Sequence, residues 1–95
     1  MGTAPLAHAD DSDTAYLAAI QSVGIPANSP AATPAYGRQL CDRISEAGFD
    51  PLVGVVNHEN ESAGFTMHQS ALVIGAAVSN YCLNKVDQLP KELKY

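Results

Sequence analysis

The stretch that decides the fold is Thr66-Met-His-Gln-Ser-Ala-Leu-Val-Ile-Gly-Ala-Ala-Val-Ser-Asn-Tyr-Cys82. Thr66 and Gln69 stand at the spacing of a capping box, in which each side chain closes on the other residue's backbone N–H. The pattern predicts a helix from Met67 to about Asn84. Leu72, Val73, Ile74, Ala76, Ala77 and Val78 leave almost no polar face in its middle. A helix apolar on every side belongs at the buried centre of a bundle. It is too short, and too punctuated by Ser and Asn, to cross a membrane.

Outward from this segment, the preceding sequence supplies three helices to surround it. Asp11-Ser12-Asp13 is a cluster of N-cap residues ahead of Tyr16, Leu17, Ile20 and Val23, which recur at helical spacing, so helix one is expected over Thr14 to Val23. Gly24-Ile25-Pro26 has the form of a stop: glycine in the left-handed conformation, an apolar residue that folds back, and a proline that forbids continuation. Ala27 to Ala32 reads as a loop. Thr33-Pro34 then opens helix two, Pro34 to about Ala47, with Leu40, Cys41, Ile44 and Ala47 on its apolar stripe and Arg38, Gln39, Asp42, Arg43 and Glu46 outside. Gly48-Phe49 repeats the ending and Asp50-Pro51 the opening. Helix three is therefore expected from Pro51 to about His58, carrying Leu52, Val55 and Val56 inward. Its Val-Gly-Val-Val run would also suit a strand, but no partner strand is visible elsewhere. Asn57 to Gly64 reads as a polar connector. The fold class is all-α, a small four-helix bundle.

Ninety-five residues suffice for one domain with one modest core, and a 46% apolar, 16% charged composition is that of a chain that folds. Net charge is −5, unevenly placed. Residues 1–84 carry two Arg against eight acidic residues, a balance of −6, and residues 85–95 carry three Lys against two, a balance of +1. Arg38 and Arg43 are the only basic side chains of the first part, too few for a phosphate-binding surface, so nucleic acid is not an expected partner.

Ala7-His8-Ala9 followed by Asp10 fits the small-x-small pattern of a signal-peptidase site. Residues 1–9 are accordingly expected to be a disordered signal-peptide end, 10–84 the helical domain, and 85–95 a charged tail, at most partly helical. Two cysteines, Cys41 and Cys82, on different helices of a small exported chain point to a disulfide between helices two and four. Closing it requires close approach of the two helices. Gly37, four residues before Cys41, and Gly75 and Ala71, seven and eleven before Cys82, put small side chains on the cysteine faces.

Asp13-Thr-Ala-Tyr-Leu-Ala-Ala-Ile, Gly24-Ile25, Gly37-Arg-Gln-Leu-Cys41-Asp and Phe65-Thr66 leading into the Ala-rich run that ends Tyr81-Cys82 together resemble the small exported mycobacterial proteins grouped as domain of unknown function 732. The resemblance covers about Asp13 to Cys82. It implies an exported all-helical domain with paired cysteines and offers no catalytic residues to carry over. The chain departs from the usual pattern in its charged tail and in the Asn57-His-Glu-Asn-Glu-Ser connector.

Chemical motifs are sparse. His58-Glu59 does not continue to a metalloprotease signature, because position 62 is Ser62 rather than His. A looser metal site could gather His58, Glu59, Glu61 and His68, although exposed polar residues at helix ends account for the same pattern. Haem capture by Tyr36, Tyr81, Tyr16, His58 or His68 beside an apolar bundle is a sharper alternative, without a C-x-x-C-H attachment motif. No G-x-S-x-G elbow or glycine-rich phosphate loop is present, and oxidised cysteines cannot serve as nucleophiles. The sequence thus points to a non-enzymatic, monomeric binding module of the secreted fraction or cell envelope. It needs no cofactor and contacts a protein or envelope component, with a haem or metal carrier and a carrier of a small apolar ligand as the alternatives.

Overall fold

The computed structural model describes residues 4–90, with side chains from Asp11 onward. Four α-helices appear, α1 (Ala4–Ser22), α2 (Pro34–Ala47), α3 (Phe49–Glu59) and α4 (Met67–Tyr81). Short 3-10 helices follow α1, α3 and α4 at Pro30–Ala32, Glu61–Ala63 and Leu83–Gln88. No strand occurs among the described residues.

The capping box of α4 forms as its spacing predicts. The Gln69 N–H donates to Thr66 Oγ1 and the Thr66 N–H to Gln69 Oε1, both at 3.0 Å. Six consecutive residues, Val73 to Val78, are buried, and α4 packs against α1, α2 and α3 together. Around it Tyr16, Ile20, Leu40, Ile44, Leu52 and Val56 close the core, each essentially without solvent contact. α1 ends as expected: Gly24 takes φ +85°, the Ile25 N–H reaches back to the Ile20 carbonyl at 3.1 Å, and Ile25 is buried.

Several boundaries differ from expectation. α1 opens at Ala4 rather than Thr14, so residues 4–9 are helical where disorder was expected, and Asp11-Ser12-Asp13 lies within the helix instead of capping it. The alanine-rich run before it has a higher helix propensity than the polar cluster has stopping power, and Pro5 falls in the first turn, where its missing N–H is harmless. Residues 1–3 lie outside the described residues.

α3 opens at Phe49, directly from Gly48, whose φ of +84° redirects the chain out of α2. Asp50 and Pro51 therefore occupy the first turn rather than the cap. The inward side of α3 is Leu52, Val53 and Val56, while Val55 is 39% exposed, correcting its expected place in the core. The expected polar connector is partly helical to Glu59 and contains the fully buried Asn60.

α4 stops at Tyr81, three residues early, where Cys82 leaves the helical conformation at φ −149°. The chain continues as a 3-10 helix and the core reaches past Asn84. Leu89 is buried, and Lys85 Nζ donates to the Cys41 carbonyl at 2.8 Å. The remainder of the expected tail, residues 91–95, lies outside the described residues.

Candidate functional site

Cys41, midway along α2, and Cys82, at the end of α4, form a disulfide with their Cα atoms 6.0 Å apart. It joins the second and fourth helices as the sequence anticipated. The glycine near it has another task. A Cβ on Gly37 would lie 2.8 Å from Tyr16 Cζ and 2.9 Å from Tyr81 Cε2, so Gly37 is the floor on which two tyrosine rings rest. The rings themselves sit 5.4 Å apart at a 48° tilt.

Two clusters of the same composition flank this pair, each a tyrosine, an arginine and a carboxylate. In the first, the Tyr81 hydroxyl donates to Asp13 Oδ1 at 2.7 Å, and Arg38 donates to the same oxygen at 2.8 Å. The Arg38 guanidinium also lies 5.5 Å from the Tyr81 ring centre. The cluster fastens α1, α2 and the end of α4 to one another. Burial, then the hydrogen bond to Asp13, holds the Tyr81 phenol well above its ordinary range.

In the second, Arg43 grips Glu59 with two parallel hydrogen bonds of 3.0 and 2.7 Å, the strong bidentate geometry of a guanidinium on a carboxylate. The Tyr36 hydroxyl donates to Glu59 Oε1 at 2.5 Å and accepts from Asn60 Nδ2 at 3.2 Å. Arg43 stands 6.0 Å from the Tyr36 ring centre. The hydrogen bonds from Arg43 hold the Glu59 carboxyl below the usual range. Burial, then donation to Glu59, pushes the Tyr36 phenol up to about 12.

A third set of contacts carries this cluster inward. Asn60 Nδ2 also donates to the Val56 carbonyl at 2.8 Å, and Asn60 Oδ1 accepts from the Ala31 N–H at 2.9 Å. The Ala31 carbonyl accepts from the buried Tyr16 hydroxyl at 2.6 Å. The line from Arg43 through Glu59, Tyr36, Asn60 and Ala31 to Tyr16 thus connects the surface to the centre of the bundle.

Of the residues singled out in the sequence, Tyr36, Tyr81 and Tyr16 lie in these clusters with their hydroxyls already bonded. Glu59 is taken by Arg43. His58 and His68 are exposed, the imidazole of His58 standing 3.8 Å from Glu61 Oε1. Among the described residues no group of three or more His, Cys, Asp or Glu side chains is gathered in a way that could hold a metal ion. Asn60, Asp13 and the pairing of both arginines were not anticipated. The sequence carries a signal for Asn60 only in retrospect, as the residue that ends α3.

A family model described as "Protein of unknown function (DUF732)" matches residues 10–84. No curated protein and no solved structure matches the chain significantly.

Proposed function

Because the chain belongs to the DUF732 family, whose description assigns no activity, its role rests on its own residues, and we propose that it is an exported, non-catalytic binding module. One observation carries the reading. Three tyrosine hydroxyls, both arginines and both cysteines are bonded to partners within the fold, and the exposed His58 and His68 stand outside these clusters. What such a domain offers is a rigid outer surface.

Export is supported by the disulfide, which persists in oxidising compartments. The family match begins at residue 10, immediately after Ala7-His8-Ala9. The partner on this reading is a protein or a component of the cell envelope.

The test is two measurements on the natural protein. Sequencing the N-terminus of material recovered from the growth medium and the envelope should give Asp10, and a protein found intact in the cytosol would overturn export. Labelled oxidised domain should bind one envelope fraction saturably and be competed off by unlabelled domain. Chemical conversion of the bound component would overturn the non-catalytic reading. A saturable Soret shift with haemin, lost in His58→Ala or His68→Ala, would replace it with a haem carrier.

A further inference from the structure

Glycine in the middle of a helix weakens it, so each such glycine calls for a cause. Gly37 has one inside the chain, the two tyrosine rings. Gly54 has none. It lies in the middle of α3, exposed, and a Cβ there would meet nothing within 4 Å. Beside it stands Val55, one of three large hydrophobic residues exposed on the described surface. One helical turn to either side of Gly54, Asp50 and His58 are also exposed, the His58 side chain to 81%. α3 therefore presents a face that is small and apolar at its centre, with a carboxylate at one end and an imidazole at the other.

That pattern is complementary to itself. When two copies of a helix cross antiparallel about a two-fold axis, the residue four before the crossing point meets the residue four after it on the other copy. With Gly54 at the crossing, Asp50 meets the partner's His58, and the symmetry makes the contact twice. Glycine is the residue that lets two backbones approach closely. The other acidic side chain of α3, Glu59, is held on α2 by Arg43 and Tyr36, so the carboxylate with which the partner's Asp50 competes for the His58 imidazole is Glu61, 3.8 Å from it across exposed surface.

The geometry points to a homodimer in which α3 packs antiparallel on α3 of a second copy, Gly54 against the partner's Gly54, with Val55 beside the crossing. In it, the Asp50 carboxylate accepts a hydrogen bond from the imidazole of the partner's His58. The proposed dimer differs from the monomer expected from the sequence and is independent of the binding reading above. The face of one 11-residue helix is smaller than a standard interface, so the association is weak and concentration-dependent.

Sedimentation equilibrium of the full oxidised chain from about 10 μM to about 1 mM tests it. The mass should climb from 9.9 kDa toward twice that value. Gly54→Leu, which has open space around it and a better helix former in place, should melt no lower than the parent and stay monomeric throughout. Asp50→His and His58→Asp should each weaken association about tenfold, and the two together should restore it. A monomer mass at every concentration overturns the proposal. So does a dimer that Gly54→Leu leaves intact, or one that the charge exchange does not affect.

Discussion

Tyr16 and Asn60 meet on the backbone of one residue: the Tyr16 hydroxyl donates to the Ala31 carbonyl and the Asn60 side-chain oxygen accepts from the Ala31 N–H. Ala31 is fully buried in the 3-10 turn between α1 and α2, where its own helix bonds cannot satisfy both groups. The loop is held inside by side chains that come from either end of the chain's first sixty residues. A buried backbone group that loses its partner costs about 1–3 kcal/mol.

Tyr16→Phe removes one of these partners and little volume. The expected loss is about 1–2 kcal/mol, a fall in melting temperature of roughly 4–12 °C for a domain of this size. Asn60→Ala strips three hydrogen bonds and leaves a hole, and should cost about 3 kcal/mol. If the loop is the shared element, the double variant should lose less than the two single losses added, which thermal or urea unfolding of all four proteins would show. Strict additivity would mean that the two side chains act independently.

Gly37→Ala and Gly54→Ala make the same chemical change in two helix interiors and should move stability in opposite directions. At Gly37 the new methyl would press on Tyr16 and Tyr81 at 2.8 to 3.0 Å, closer than ring carbons tolerate, and overpacking of this kind costs about 1–3 kcal/mol. At Gly54 the methyl enters open space and the gain in helix propensity, up to about 1 kcal/mol, stands unopposed. Urea unfolding at low micromolar protein would compare them without interference from association. A stabilising Gly37→Ala would mean that the two rings can shift freely.

The sequence disclosed those parts of the fold that depend on neighbours along the chain. The capping box at Thr66, the left-handed Gly24 followed by Ile25, and Pro34 at the start of α2 are local devices, and each forms. The orientation of α3 was not legible, because Val-Gly-Val-Val places apolar side chains on more than one side and only packing against α4 selects Val53 over Val55. The beginning of α1 was misplaced for a related reason, since polar cap residues and an alanine-rich run compete there. As for the clusters, Tyr36 and Tyr81 stood out as potential ligands, while their true partners lie 23 and 68 residues away. No periodicity records a pairing at that distance.

The tyrosines give the protein an alkaline limit. A phenol whose folded pKa is raised adds stability in full below its ordinary value of 10.0 and loses it as pH climbs toward the folded value, about 12 for Tyr36. Tyr16 and Tyr81 are shifted in the same direction, Tyr16 mainly by burial. The melting temperature should thus be level up to about pH 10 and fall beyond it, with phenolate absorbance at those three positions appearing in the folded protein only well above pH 10. Glu59 acts at the other end. Its depressed carboxyl contributes above the ordinary 4.5 and loses that contribution as pH falls further, so Glu59→Gln should flatten the acid limb of the profile. Phenolate formation at Tyr16, Tyr36 or Tyr81 at pH 10 in the fully folded protein, read in a Tyr95→Phe background, would contradict the bonding of these hydroxyls.

The disulfide should matter to folding more than any single side chain. Cys41 and Cys82 are 41 residues apart, and closing a loop of that length withdraws about 4 kcal/mol of chain entropy from the unfolded state. The bridge also fixes the end of α4 beside α2, where Lys85 bonds the Cys41 carbonyl and the following chain carries Leu89 back to the core. Replacing Cys41 and Cys82 together by alanine should lower the melting temperature by more than about 10 °C, and reduction of the parent by a dithiol should do the same. The double variant must then be insensitive to the reductant, which separates loss of the crosslink from any other effect of the dithiol. An unchanged melting temperature in both would mean that α2 and α4 are held by packing alone, Gly37 against the Tyr81 ring with Tyr16 of α1 beside them.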